Sequence, residues 1–354
     1  MRVLVTGHLG YLGSVLVPML LETGHAVVGL DSDLYAACAF GNPIPPVPAR
    51  RLDVRDVDGS DLAGLDAIVH LAALSNDPLG DLDPALTHEI NHAASVRLAR
   101  LAKAAGVQRF VFSSSCSNYG AAGDGLVDEG ADLHPLTPYA ISKVQVERDV
   151  ARLADDDFSP VFLRNATAYG VSPRLRCDLV LNDLVAWAYT TGRVRLKSDG
   201  TPWRPLVHAE DIARACVAVL SAPREIVHGQ AFNVGRTDEN YRVRDLAEIV
   251  RDTVPGSRIE YAPGAAPDQR SYRVDFDKIR RALPDFAPRW TARDGARELY
   301  DAYRRHGLHV DDLEGPRYRR VDQIRLLLGS GQLDETLRRR AGTASVERDV
   351  GHTE

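Results

Sequence analysis

The chain has 354 residues and a formal net charge of −6, with acidic and basic residues mixed along its length. A chain of this size can bury a proper core and predicts one large domain or two fused ones. Because neither sign of charge dominates, the composition favours neither a nucleic-acid nor a membrane surface. No apolar run approaches the roughly 18 residues that cross a bilayer.

Cysteine usage and the N-terminal sequence bear on location. The four cysteines are far apart and form no CxxC pair, so we expect neither a disulfide framework nor a metal site. The first residues enter an apolar run with no secretory signal pattern. We therefore expect a cytoplasmic protein.

The first thirty residues alternate between apolar runs and a glycine-rich turn. An apolar run (residues 3–6) leads into the turn, a helical pattern (11–22) and a second apolar run (26–30) that ends at Asp31. Strand, glycine turn, helix, strand and acid in this order are typical of a dinucleotide-binding unit with TGxxGxxG spacing. The alternative is a glycine-rich turn in some other βαβ unit.

Each of the three glycines of that unit, and the acid that follows it, has a physical role. Gly7 makes the tight turn, Gly10 lets the backbone approach a pyrophosphate, and Gly13 permits close packing of helix on strand. Asp31 would accept hydrogen bonds from the adenosine ribose and repel a 2′-phosphate. No arginine follows Asp31 at once, so NAD is favoured over NADP.

Later apolar runs predict four more strands, at residues 51–54, 66–72, 109–114 and 159–164. A polar, turn-rich loop at 74–84 and a long helix at 84–105 lie between them. Alternating strands and helices indicate an α/β fold with a doubly wound parallel (Rossmann) sheet.

Beyond residue 165 shorter strands, including one at 231–234, alternate with helices and predict a smaller mixed α/β substrate domain. We expect a NAD-binding domain at 1–165, a substrate domain at 166–310 and a helical extension with a polar tail at 311–354. A basic patch at 317–320 indicates a solvated face or an oligomer contact, with phosphate binding as the alternative.

A helix is predicted to begin with Thr137 as N-cap and Pro138 at its first position. Tyr139 and Lys143 are then one turn apart on the same face. The ammonium should lower the pKa of Tyr139 from its ordinary value of about 10, which would suit a general acid or base. Tyr and Lys also occur four apart by chance, so the spacing alone is weak evidence.

The serine-rich segment SSSCSNYG (113–120) follows the strand at 109–114, at the sheet edge where a nicotinamide should lie. At this point the chain resembles the extended short-chain dehydrogenase/reductase family, and within it the NAD-dependent nucleotide-sugar epimerases and dehydratases. The resemblance covers residues 1–310 and rests on motifs in order: TGHLGYLG (6–13), Asp31, HLAA (70–73), SSSCSNYG (113–120), YAISK (139–143) and GTPWRPLVHAEDIA (200–213).

The resemblance implies a role for each matching residue. Tyr139 is the catalytic acid/base, Lys143 lowers its pKa and binds the nicotinamide ribose, and Ser115 is the hydroxyl that assists Tyr139. The implied NAD contacts are Tyr139 and Lys143 together with Gly7, Gly10, Tyr11, Leu12, Gly13, Asp31, Asp53, Val54, Leu71, Ala72, Ala73, Asn91 and Ser113. The implied substrate contacts are Ser75, Cys116, Ser117, Thr167, Arg204, Arg270 and Tyr272. Of these, Arg204 would grip the nucleotide diphosphate.

Three positions depart from the family pattern. The 4,6-dehydratases carry Asp-Glu where this chain has Cys116 and Ser117, which disfavours dehydration. Cys116 could serve as an acid/base, as cysteines near this position do in some 3,5-epimerases, but a small buried residue is the favoured explanation. Thr167 replaces the usual Asn, so substrate phosphate contacts should differ.

The leading hypothesis is an NAD-dependent epimerase that acts on a nucleoside-diphosphate sugar, at carbon 4, through a transient keto-sugar and without a metal. The alternatives are a dehydratase, decarboxylase or ketoreductase of the same family, and less favoured a non-catalytic dinucleotide sensor. We expect a homodimer formed through a four-helix contact of the helices near 84–105 and 137–155, with no nucleic-acid or membrane partner.

Overall fold

The computed structural model describes residues 1–266 and 270–340. Among these, no helix is both long and apolar enough to cross a membrane. The predicted polar tail at 341–354 lies outside the described residues. The strands, in chain order, are β1 (Arg2–Thr6), β2 (Ala26–Asp31), β3 (Ala49–Arg51), β4 (Ala67–His70), β5 (Arg109–Ser115), β6 (Ala121–Val127), β7 (Ser159–Asn165), β8 (Thr167–Tyr169), β9 (Arg193–Ser198), β10 (Trp203–His208), β11 (Ala231–Val234), β12 (Asn240–Arg242), β13 (Arg258–Ala266) and β14 (Ser271–Val274).

Helices connect most of these strands. They are α1 (Gly13–Glu22), α2 (Asp77–Gly80), α3 (Pro84–Thr87), α4 (Ala94–Ala104), α5 (Pro138–Ala151), α6 (Val180–Thr191), α7 (Ala209–Ser221), α8 (Arg224–Val227), α9 (Val243–Thr253), α10 (Asp277–Ala282), α11 (Ala292–His306), α12 (Val310–Glu314) and α13 (Arg320–Gly329). The predicted helix at 84–105 is thus α3 and α4 joined by a π-helical turn, His88–Ala93.

The main sheet has seven parallel strands in the order β11-β7-β5-β4-β1-β2-β3. The middle residues of its central strands (3–5, 67–69 and 110–112) are apolar and buried because both faces of the sheet are covered. Val3 and Val5 pack in one cluster with α1 and α7, whereas Leu4 packs on the opposite face with α4, α5 and α13. The predicted doubly wound parallel sheet is confirmed.

Two strands of this sheet differ from the sequence prediction. β11 pairs with β7, although the sequence analysis assigned it to the smaller domain, so the main sheet draws on chain beyond residue 165. The predicted third strand at 51–54 ends at Arg51, because Asp53 caps a short 3₁₀ turn, Val54–Asp56.

The smaller part of the molecule carries α6, α9 and α11 with three small sheets. These sheets are β12-β10-β8, β13-β9 and β14-β6. The helices α6, α9 and α11 share an apolar cluster that is separate from those of the main sheet. The loop that follows β8 contacts the glycine turn at the carboxyl edge of the main sheet: the Tyr11 hydroxyl donates to the carbonyl oxygen of Gly170 (2.7 Å), and Ser172 Oγ donates to the carbonyl oxygen of Tyr11 (2.8 Å).

Candidate functional site

A cavity of about 440 Å³ opens at the carboxyl edge of the main sheet. The predicted catalytic residues line it, as do the predicted cofactor-binding residues other than Asn91 and the predicted substrate-binding residues other than Cys116. Parallel strands bring their carboxyl ends to one edge, and for this reason segments far apart in sequence meet there. The roles of the individual residues remain predictions.

Close backbone packing explains the glycines of the turn between β1 and α1. Gly7 has φ +75°, and a Cβ there would lie 2.9 Å from the backbone nitrogen of Ala72. A Cβ on Gly13 would lie 2.1 Å from the carbonyl oxygen of Gly7. Neither glycine could carry a side chain without moving the turn, so the backbone stays open toward the cavity.

Asp31 is held in place at the end of β2. Its carboxylate accepts hydrogen bonds from the backbone N–H groups of Leu9 (2.9 Å) and Asp33 (2.7 Å). Burial raises the pKa of Asp31, and these two donors oppose that rise. The bond to Leu9 ties Asp31, the predicted ribose-binding acid, to the glycine turn.

The helix that carries Tyr139 and Lys143, α5, begins as the sequence predicts. Thr137 Oγ1 accepts a hydrogen bond from the backbone N–H of Ala140 (3.2 Å), and Pro138 occupies the first helical turn. Lys143 Nζ donates to the carbonyl oxygen of Ser113 (2.7 Å) and lies 5.6 Å from the centre of the Tyr139 ring. The cap and this bond fix both side chains against the end of β5.

The expected lowering of the Tyr139 pKa is wrong in this structure. Burial raises the pKa of Tyr139 to about 12; the charge of Asp77 adds to the rise, and a hydrogen bond with Ser115 opposes it. Burial also lowers the pKa of Lys143 to about 7. A lysine that desolvation drives toward its neutral form adds little to stabilise a phenolate.

Ser115 and Ser117 form a pair of hydroxyls beside Tyr139. Ser115 Oγ accepts from the backbone N–H of Ser117 (3.1 Å) and bonds to Ser117 Oγ (2.9 Å). The residue between them points away: Cys116 is fully buried, its thiol donates to the carbonyl oxygen of Arg164 (3.1 Å), and burial raises its pKa. Cys116 does not line the cavity, and its burial fits the explanation of a small buried residue; its implied substrate contact stays a prediction.

Asn91 supports the cavity from behind. Its side-chain amide accepts from the backbone N–H of Leu74 (2.8 Å) and donates to the carbonyl oxygen of the same residue (3.0 Å). Asn91 therefore holds the loop after β4, whose residues Ala72 and Ala73 do line the cavity.

A buried ion pair underlies the catalytic helix. Glu147, one turn beyond Lys143, pairs with Arg164 at 2.7 Å and accepts a hydrogen bond from Ser114 Oγ. Both charged side chains are only 8% exposed. The pair joins α5 to β5 and β7 beneath the catalytic residues, so it fixes the helix relative to the sheet.

Arginines and Asp77 form the substrate end of the cavity. Arg204 donates to the carbonyl oxygens of Trp203 (2.8 Å) and Arg270, and Arg270 pairs with Asp77. Tyr272, at the start of β14, lies in the same wall. This part of the cavity combines two guanidinium groups with one carboxylate close to Tyr139.

Sequence reasoning missed several charged residues of the cavity wall. Asp77 lay in a loop described only as polar, and no role was assigned to Arg176 or Asp178. Arg176 and Asp178 pair at 2.8 Å, and two opposite charges two residues apart, directly before an apolar run at 179–181, were the available signal. Arg320 belongs to the basic patch, and the expected solvated face is wrong for it, since it is 1% exposed.

Comparisons with known proteins agree with this geometry. The model of the family described as "NAD dependent epimerase/dehydratase family" matches residues 3–235. The chain is 32% identical over 296 residues to UDP-glucose 4-epimerase of Mycolicibacterium smegmatis, a match that covers 80% of this chain and 92% of that protein. It is 30% identical over 321 residues to dTDP-glucose 4,6-dehydratase of Streptomyces griseus, covering 86% of this chain and 94% of that protein.

A solved structure, MoeE5 in complex with UDP-glucose and NAD, superposes with a TM-score of 0.74. MoeE5 is 29% identical to this chain, and the match covers 86% of this chain and 99% of MoeE5. Sheet, glycine turn and Tyr–Lys helix thus agree with the family match, and the chain belongs to the NAD-dependent epimerase/dehydratase family of extended short-chain dehydrogenases/reductases, whose cofactor is NAD.

Proposed function

We propose that the protein epimerises a nucleoside-diphosphate sugar at carbon 4 through a transient keto-sugar. The observation that carries the proposal is the group formed by Ser115, Ser117 and Tyr139. It presents hydroxyls to the cavity, and the two positions where the resemblance places the carboxylate pair of a dehydratase are Cys116, which is buried, and Ser117. Hydroxyls suffice to move the proton of one sugar hydroxyl.

The protein's own groups would perform the proton steps as follows. NAD, when bound, would accept and return the hydride, and its oxidised nicotinamide would add positive charge beside Tyr139. That charge opposes the effect of burial on the Tyr139 pKa. Tyr139 would take the proton of the substrate hydroxyl, and Ser115 would hold the oxygen of that hydroxyl. Lys143 would bind the hydroxyls of the nicotinamide ribose.

The substrate end has the groups that a diphosphate needs. Arg204 and Arg270 offer guanidinium donors, which form charge-assisted hydrogen bonds with phosphate oxygens. Tyr272 and Thr167 line the same cavity as these arginines and Ser115. A sugar linked to the diphosphate would thereby reach Tyr139.

Dehydration is the second candidate, and Asp77 is the observation that favours it. Asp77 lines the cavity and is close enough to raise the pKa of Tyr139. A carboxylate there could act as a second acid or base. Its pairing with Arg270 and its bond from Thr137 favour a structural role, so epimerisation remains the proposal.

Product analysis in deuterated water separates the two reactions. We expect the purified protein to release NAD on denaturation and to convert one sugar of a UDP- and dTDP-sugar panel into its 4-epimer. ¹H NMR should show every carbon-bound hydrogen retained, because the hydride never exchanges with solvent. Deuterium at carbon 5 or 6, or turnover that depends on added NADPH, would contradict the proposal.

A Tyr139→Phe variant tests the catalytic assignment. Loss of the phenol should reduce turnover by about 10²- to 10⁴-fold while the NAD content of the purified protein stays unchanged. Tyr300→Phe, on α11 and outside the cavity wall, is the matched control and should turn over normally. Unchanged turnover in Tyr139→Phe would show that another group moves the proton.

A further inference from the structure

The C-terminal segment, residues 310–340, packs onto the cofactor end of the cavity. Ile324 and Leu327 of α13 join the apolar cluster beneath the main sheet. Arg320, at the start of α13, and Leu337, beyond its end, both line the cavity. The segment therefore supplies part of the wall that encloses a bound ligand.

Further contacts hold the end of this segment near the ribose-binding acid. Arg339 donates to the carbonyl oxygens of Ser32 (3.1 Å) and Asp33, which directly follow Asp31. Arg55, which is paired with Asp53, donates to the carbonyl oxygen of Thr336 (2.9 Å). The segment thus spans the adenosine end of the site.

Arg320 is buried with part of its hydrogen-bonding capacity unused. Its side chain is 1% exposed, its guanidinium lies 4.3 Å from the centre of the Tyr35 ring, and Nη2 donates to the carbonyl oxygen of Arg174 (2.8 Å). Within residues 1–266 and 270–340, Nη1 has no hydrogen-bond partner and no carboxylate forms an ion pair with Arg320. Burying a cation in this way is unfavourable unless an anion joins it.

The surroundings of Arg320 indicate where that anion would lie. Arg174, whose carbonyl accepts from Arg320, donates through its own Nε to the carbonyl oxygen of Leu9 in the glycine turn (3.1 Å). Tyr35, on which Arg320 stacks, lies four residues beyond Asp31. Arg320 is therefore linked to the glycine turn on one side and to the ribose-binding loop on the other, and the diphosphate of a dinucleotide passes between these two features.

We propose that the C-terminal segment is a clamp for the dinucleotide and that Arg320 donates from Nη1 to its diphosphate. Asp178 is paired with Arg176 and is also close enough for the charge of Arg320 to lower its pKa. One carboxylate therefore serves two guanidinium groups, which leaves one positive charge for a phosphate. Guanidinium–phosphate bonds are short and strong because both partners are ionised. Because the clamp acts on the cofactor, we expect it whichever reaction the substrate undergoes.

Binding measurements on the full-length protein stripped of nucleotide test the proposal. In Arg320→Met we expect the affinity for ADP-ribose to fall about 10- to 100-fold, and the affinity for adenosine, which has no phosphate, to stay the same. Arg320→Lys should recover part of the loss. Arg325→Met, on the same helix with a 63% exposed side chain, is the matched control and should bind ADP-ribose normally.

A second readout separates a phosphate contact from a structural role. Without nucleotide, Arg320→Met should be at least as stable to heat as the parent protein, because an unpaired buried charge is replaced by an apolar side chain. On adding NAD, the thermal midpoint of Arg320→Met should rise by less than that of the parent protein. Equal losses for adenosine and ADP-ribose, an unchanged ADP-ribose affinity, or a loss confined to 2′-phosphorylated nucleotides would each overturn the proposal.

Discussion

Asp77 accepts a hydrogen bond from the side chain of Thr137, Oγ1 to Oδ1 at 2.6 Å. Thr137 also caps the helix that carries Tyr139 and Lys143, so this bond connects the loop after β4 to the catalytic helix. Asp77 is paired with Arg270 as well. One carboxylate therefore joins the helix that carries Tyr139 to Arg270, a predicted substrate contact.

Replacing Asp77 should change the titration of Tyr139. The Asp77 charge raises the pKa of Tyr139, so Asp77→Asn should lower that pKa and move the ascending limb of the pH–turnover profile to lower pH. The amide can still accept the bond from Thr137. Asp81→Asn, an exposed residue of the same loop, should leave the limb in place; if both variants behave alike, Asp77 does not act on Tyr139.

Because of Lys143, the nucleotide-free protein should be less stable near pH 7 than near pH 10. Burial holds the pKa of Lys143 at about 7, well below its unfolded value of about 10.4. Between these two pH values the unfolded chain binds the extra proton, so stability rises as pH rises through this window.

Lys143→Met should remove this pH dependence. We expect the variant to exceed the parent in unfolding free energy by about 2 to 4 kcal/mol at pH 7, and the difference to shrink toward pH 10. Urea unfolding at both pH values measures it. Lys197→Met, whose side chain is 57% exposed, should give the same difference at both pH values; a destabilised Lys143→Met at pH 7 would contradict the expectation.

Cys116 should be dispensable for proton transfer. Its thiol is buried and bonded to the carbonyl oxygen of Arg164, and a serine there can donate the same bond. Cys116→Ser should keep turnover within about threefold, whereas loss of a true acid or base costs about 10²-fold or more. A comparison with Ser117→Ala, which removes a hydroxyl of the cavity wall, would show which of the two positions bears on the reaction.

The predicted homodimer has a defined test on α5. Ile141 is 41% exposed on the outer face of this helix, and a charge buried in a four-helix contact is costly. Ile141→Arg should give a monomer in sedimentation experiments where the parent is a dimer. Ile226→Arg, at a similarly exposed isoleucine of α8, should not change the mass; a dimeric Ile141→Arg would exclude this face.

Local patterns accounted for much of the site. The glycine turn, Asp31 and the Tyr139–Lys143 spacing lie within single supersecondary units, and the short-range geometry of a turn or a helix dictates their arrangement. The alternation of strands and helices likewise predicted the parallel sheet. Residues at the strand ends, such as Ser115, could be placed because parallel strands end at one edge.

Only the tertiary structure shows the features that depend on contacts between distant segments of the chain. The pairing of β11 with β7, the approach of Asp77 to Tyr139 and the burial of Arg320 each join residues far apart in the chain, and no local periodicity encodes such contacts. The pKa of Tyr139 belongs to the same class. Sequence predicted the ammonium one turn away, but burial, which only the packed structure creates, outweighs that charge and sets the direction of the shift.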